Sequence, residues 1–156
     1  MNVLIANRQR VKKINARLLN KIAAAVLTEL EIGRCELEIN LLGAKEMAAL
    51  NEIFLRHEGS TDVITFDYLE KRKAESGKRK FVYGEIFISV DDAVSQAKRF
   101  KTSWQSEIIR YLVHGILHLL GHDDLRADLR RKMKRQENRL LRALLVKFSL
   151  AQIARP

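Results

Sequence analysis

The chain has 156 residues, 29 of them Lys or Arg against 19 Asp or Glu, so its formal net charge is +10, and 47% of its residues are apolar. That length fits one domain with one core, spanning 1–156, and the apolar share excludes a disordered chain even with 31% charged residues. No apolar run approaches the roughly 20 residues that cross a bilayer, no signal-peptide pattern opens the chain, and Cys35, the single cysteine, excludes both an internal disulfide and a cysteine-based metal cluster. The expectation is a soluble, cytoplasmic protein whose metal, if any, uses histidine and carboxylate.

Val3 to Ala6 suits a short strand. From Asn15, a natural N-cap, Leu18, Leu19, Ile22, Val26 and Leu30 recur with helical period, and Gly33 is placed to end that helix. Residues 36–41 alternate with period two, which puts Leu37, Ile39 and Leu41 on the core face of a second strand. Met47, Leu50, Ile53 and Phe54 mark the next helix. A third strand follows at 61–66 and a fourth at 84–90. Between them, 70–80 holds six basic and two acidic residues with Gly77, and reads as a mobile basic loop.

Beyond the fourth strand the pattern is helical to the end of the chain. One helix covers 91–100. Thr102 and Gln105 have the spacing of a capping box that opens a second, which runs to Gly121 as its C′ residue. The last helix sets Leu125, Leu129, Met133, Leu140, Leu144 and Phe148 on one side. The predicted architecture is α+β, a single domain with a small mixed four-stranded sheet covered by about five helices.

The charge is unevenly placed. Residues 1–21 hold six basic side chains and no acid, and 125–156 hold ten basic and two acidic, so the middle of the chain is net negative. A basic surface of this kind attracts polyanions through counterion release and steering, which makes nucleic acid the natural partner class. A basic amphipathic last helix could also seek a membrane surface, but its apolar stripe is needed to cover the core, so no membrane partner is expected.

Three of the four histidines lie within nine residues, at His114, His118 and His122. A spacing of four puts His114 and His118 on the same helix face, one turn apart, able to bind one ion. Gly121 then lets the chain reverse, because glycine tolerates the left-handed conformation that ends a helix. Asp124 can return as third ligand, with His122 as the alternative; Asp123 suits a hydrogen-bond partner to the turn. Two nitrogens and one oxygen leave a position open, as in a catalytic centre. Zn²⁺, one ion per chain, suits this set, with Fe or Ni as the alternatives.

The stretch 114–124 closely resembles the H-G-x-L-H-L-x-G-x-D-H signature of the YbeY family of metal-dependent endoribonucleases. Leu50-Asn51, then Thr61-Asp62-Val63-Ile64-Thr65-Phe66, then Gly84-Glu85-Ile86-Phe87-Ile88-Ser89 follow in the family's order and spacing. The resemblance implies a single-strand-specific endoribonuclease that matures the 3′ end of small-subunit ribosomal RNA and serves ribosome quality control, with ribosomal RNA and the small ribosomal subunit as partners. Two positions depart from the pattern: Asp124 stands where the signature has a third His, and Leu55 where an Arg usually precedes the T-D-V motif. Arg56, one residue later, is the available cation for the scissile phosphate, and His57 beside it reads as solvated.

Water and a ribose hydroxyl both remain open as nucleophile. A metzincin-like peptidase shares the two histidines and the glycine, but has a Glu general base where this chain has Gly115, a loss of roughly 10²- to 10⁴-fold for peptide hydrolysis. A non-catalytic ribosome assembly factor with a structural metal is the other alternative.

Overall fold

The computed structural model describes residues 1–55, 61–69 and 80–156. Its elements are β1 (Asn2–Asn7), α1 (Ala16–Glu29), β2 (Arg34–Leu42), α2 (Ala44–Leu50), β3 (Val63–Asp67), β4 (Phe81–Ser89), α3 (Val90–Phe100), α4 (Trp104–Leu119) and α5 (Ala127–Lys147). A π-helical turn, Asn51–Leu55, prolongs α2, and a 3₁₀ turn, Leu150–Ile153, follows α5. The fold is α+β, with one mixed sheet of order β1-β2-β4-β3, in which β2 runs parallel to both β1 and β4 and only β3 is antiparallel.

Alternation of side chains along the strands divides the core. Val3 and Ile5, Leu37, Ile39 and Leu41, and Val82, Ile86 and Ile88 point to one face, where they meet α1 and α4. On the other face Leu42, Ile64, Phe66 and Phe87 pack with Met47 and Leu50 of α2. Each fully buried Leu or Ile contributes roughly 1.5–3 kcal/mol by leaving water, and Leu19, Ile22, Leu27, Ile39, Leu41, Ile86, Ile108, Leu112 and Ile116 all do so.

Helix ends follow local chemistry. Asn15 caps α1 by accepting from Leu18 N at 3.1 Å, but α1 ends earlier than Gly33 suggests: Glu31 takes the left-handed φ of 57° and its N–H bonds Thr28 O. Ser103, rather than Thr102, caps α4 through Ser106 N. Thr102 instead donates its hydroxyl to Glu107 at 2.7 Å. Ile53 and Phe54 are exposed, because the π-helical turn rotates them off the apolar stripe that Met47 begins. Leu125 is exposed too, since it precedes α5 instead of riding on its core face.

The helical pattern does not reach the end of the chain. After Lys147 the backbone extends, makes the 3₁₀ turn and pairs with the start of the chain, with Asn15 N donating to Ile153 O and Arg155 N to Lys13 O. The two basic ends of the sequence therefore meet in space: Arg10, Lys12, Lys13 and Arg155 line one depression of about 680 Å³. No helix among the described residues is long and apolar enough to cross a membrane. Most of the basic stretch 70–80 lies outside the described residues.

Candidate metal centre

Helix α4 is the central helix of the domain and is almost entirely enclosed. Across 107–120 every residue is buried except Arg110, His114 and His118, which form a single stripe at spacing i, i+4, i+8. The enclosing side chains are Ile108, Ile109, Leu112, Val113, Ile116, Leu117 and Leu119. Gly115 lets α4 lie close on β4: a Cβ there would meet Ile86 side-chain atoms at 3.0 Å. Packing of the apolar faces thus leaves the two histidines one outlet, and it is a shared one.

The chain then reverses as a Schellman turn. Gly121 has φ 92°, its N–H donates to His118 O and the His122 N–H to Leu117 O, both at 3.0 Å. The turn returns Asp124 to the histidines. Its Oδ2 lies 3.8 Å from Nε2 of His114 and 3.8 Å from Nε2 of His118, and those two nitrogens are 3.0 Å apart. Among the described residues this is the group of histidine, cysteine and acidic side chains that converges closely enough to hold one ion, all its ligand atoms lying within 4.8 Å of one another. His122 is not part of it; its ring is buried, and its backbone carbonyl accepts from Nδ1 of His118 at 3.1 Å. Asp123 accepts from Leu125 N at 2.7 Å and so braces the turn. Arg56 and His57 lie outside the described residues.

Glu137 of α5 completes the site from a distance of 23 positions. It is buried, and its Oε2 takes a hydrogen bond from Nδ1 of His114 at 3.1 Å while its Oε1 faces Arg110 at 3.4 Å. Burial pushes the Glu137 carboxyl up, but the hydrogen bond from His114 and the charges of His114, Lys134 and Arg110 outweigh it and hold the group below the usual carboxylate range. An ionised carboxylate only accepts, as does the carbonyl of His122. Both imidazoles, when neutral, therefore carry their proton on Nδ1 and turn the lone pair of Nε2 to Asp124. Burial, reinforced by the neighbouring His114, also lowers the pKa of His118, which favours its neutral, ligating form.

With both protons on Nδ1, the two Nε2 lone pairs face each other across 3.0 Å, an arrangement that a cation relieves. Tetrahedral zinc bound at about 2.0–2.1 Å would want its nitrogens roughly 3.3 Å apart, so the donor set fits such an ion with small adjustments. The side chains of His114, His118 and Asp124 are 27%, 28% and 42% exposed, so the outward side of the set is open to solvent and substrate. The sequence signal that could have found Glu137 is its position: on α5 it interrupts the buried series Met133, Leu140 and Leu144 with a carboxylate.

Fold and site together define a class: a small α+β domain whose central helix presents two histidines and one returning carboxylate on an open face. A profile of the family described as Endoribonuclease YbeY matches residues 3–145, and the chain belongs to that family. It is 33% identical over 144 residues to the Endoribonuclease YbeY of Chlorobium phaeovibrioides, covering 92% of this chain and 91% of that protein. To the Endoribonuclease YbeY of Myxococcus xanthus it is 38% identical over 126 residues, 81% of this chain and 42% of that protein. The solution structure of TM1509 from Thermotoga maritima is similar in fold, with a TM-score of 0.62 and 23% identity over 94% of this chain and 93% of that one.

Proposed function

We propose that the protein is a zinc-dependent, single-strand-specific endoribonuclease that works in the cytoplasm on the 3′ end of small-subunit ribosomal RNA and in ribosome quality control. Its partners in this reading are ribosomal RNA and the small ribosomal subunit, and one domain over 1–156 carries the activity. The observation that supports it most is the convergence of His114 Nε2, His118 Nε2 and Asp124 Oδ2 on an exposed point, with both imidazole tautomers set by their Nδ1 partners.

A zinc ion there would supply Lewis acidity to the phosphate and to the attacking hydroxyl; imidazole and carboxylate donors also suit iron or nickel. The remaining work falls to the chain itself. Glu137 and the His122 carbonyl hold the two rings in register, and Arg130 Nη1 donates to the Asp124 carbonyl at 3.2 Å, which holds the returning segment in place. Arg56, five residues before Thr61, is the side chain assigned to the scissile phosphate. The basic corner formed by the two chain ends would hold RNA by its backbone, independent of sequence.

Peptide hydrolysis is disfavoured by packing as well as by chemistry. Position 115, where such a peptidase carries its Glu general base, is a glycine that packs against Ile86, and a Cβ there would meet Ile86 side-chain atoms at 3.0 Å.

The test is incubation of the purified protein with single-stranded RNA and with an unstructured peptide, each with and without a chelator, beside elemental analysis of wild type and His118→Ala. About one zinc per chain, lost in the variant, with chelator-sensitive RNA cleavage is the expected result. Full metal retention by His118→Ala, or metal-dependent cleavage of the peptide alone, would overturn the reading. Tight RNA or ribosome binding with no cleavage would leave an assembly factor in its place.

A further inference from the structure

We infer that the groove leading from the metal centre along α4 is a binding strip for the single-stranded RNA that flanks the cleaved bond, with the RNA backbone on Arg131 and Lys134 of α5 and a base against Phe100. The inference rests on the endoribonuclease reading and deepens it. The groove, of about 790 Å³, begins at His114 and Asp124 and follows α4 back past Tyr111 and Glu107 to Thr102. Its size is within the roughly 300–1,000 Å³ of ligand clefts. From His114 to Thr102 is about 18 Å at the helical rise, so more than one nucleotide lies along it.

The two sides and the floor differ in chemistry. Arg130, Arg131 and Lys134 of α5 form one wall. Arg130 is engaged by the Asp124 carbonyl, whereas Arg131 and Lys134 are exposed; the charge of Lys134 also reaches Glu137 on the floor. Phe100, at the end of α3, stands on the other side with 57% of its surface exposed, and the Arg99 guanidinium lies 5.5 Å from its ring centroid. The floor carries Glu107, Glu137 and Tyr111, all buried, and the Tyr111 hydroxyl has no hydrogen-bond partner among the described residues.

That distribution orients a polyanion. Floor carboxylates repel phosphate, so the backbone runs on the α5 wall, where each cation releases a counterion. The bases then turn away from the α5 wall towards the phenyl ring of Phe100, where stacking tolerates any base. A peptide or a small anion uses only part of this arrangement; a single strand of RNA uses the cations and the aromatic face together.

Fluorescence anisotropy with a labelled single-stranded 2′-O-methyl oligonucleotide, titrated at several salt concentrations, reads the two contributions separately. Replacing Arg131→Ala with Lys134→Ala removes two phosphate contacts and should lower the slope of log affinity against log salt by about 1.4. Arg131→Lys with Lys134→Arg should keep the slope. Phe100→Ala should weaken binding about five- to tenfold at every salt concentration with the slope unchanged. All three positions are exposed, and thermal melts check that the variants fold. Wild-type affinity and slope in both the double alanine variant and Phe100→Ala would overturn the groove assignment while wild-type cleavage of RNA left the endoribonuclease reading standing. A wild-type protein that neither binds nor cleaves RNA would overturn both.

Discussion

Glu137 on α5 accepts a hydrogen bond from Nδ1 of His114 on α4 at 3.1 Å, and this pair ties the docking of the last helix to the ring orientation at the candidate metal centre. Without a charged acceptor behind it, His114 could turn its proton toward Asp124 and lose its ligating lone pair. Replacing Glu137→Gln keeps the volume but removes the charge, and the amide can present an N–H instead of an acceptor. Zinc affinity should fall about 10- to 100-fold, as is usual for the partner behind a ligating histidine. Competition with a fluorescent chelator measures it, and unchanged affinity would show that α5 only packs.

Gly121 is the second control point, because it sits at φ 92° and delivers Asp124. An L side chain in the left-handed region costs roughly 1–2 kcal/mol. Gly121→Ala should lose about that much in denaturant unfolding and also bind zinc more weakly, while Gly121→Asn should lose less, since Asn adopts this conformation more readily. Equal stability of all three proteins would remove the glycine from the account.

What could be read from the sequence was what local chemistry decides. The four-residue spacing of His114 and His118, the stop at Gly121 and the alternation of Leu37, Ile39 and Leu41 all act within a few residues, and each is found in the fold where the pattern put it. Glu137 escaped because its role depends on α5 crossing α4, a contact between positions 23 apart that periodicity does not encode. Ile53 and Phe54 lie in the helical stretch their spacing marks, but a helical pattern does not reveal that this end of it is a π-helical turn that leaves them exposed. α1 ends before Gly33 because Glu31 takes the left-handed position and the Ile32 N–H turns back to Leu27 O as Ile32 enters the core. The meeting of the two basic ends was likewise a property of the pairing of Ile14 with Ala154, and charge counting along the chain could not show it.

Gly84 provides a test of the sheet that carries α4. A Cβ at this position would collide with the backbone carbonyl of Phe66 on the neighbouring strand and crowd Leu119, so neither a rotamer change nor a small side-chain shift relieves it. Overpacking against a well-filled core typically costs about 1–3 kcal/mol, and a backbone obstacle places Gly84→Ala at the upper end. Chemical denaturation should show the loss. A variant as stable as wild type would mean that β3 moves freely relative to β4.

The buried thiol of Cys35 makes the last prediction, one of pH. Its surroundings on β2 push it up to about 11 from an ordinary 9.0, mainly through burial, with the negative charge of Glu36 adding and the N-terminal amine opposing. The folded-state value is above the unfolded one, so the thiol's contribution to stability is complete below about pH 9. Above that, the unfolded chain ionises while the folded chain holds its proton, and stability falls until the folded thiol titrates near 11. Allowing for solvent screening, the loss is on the order of 1–2 kcal/mol. Unfolding free energies measured from pH 8 to 11 should fall more steeply for wild type than for Cys35→Ala. Consistent with a buried, protonated thiol, iodoacetamide at pH 8 should label Cys35 slowly in the native protein and rapidly in denaturant; equal rates in the two states, or parallel stability curves, would refute the assignment.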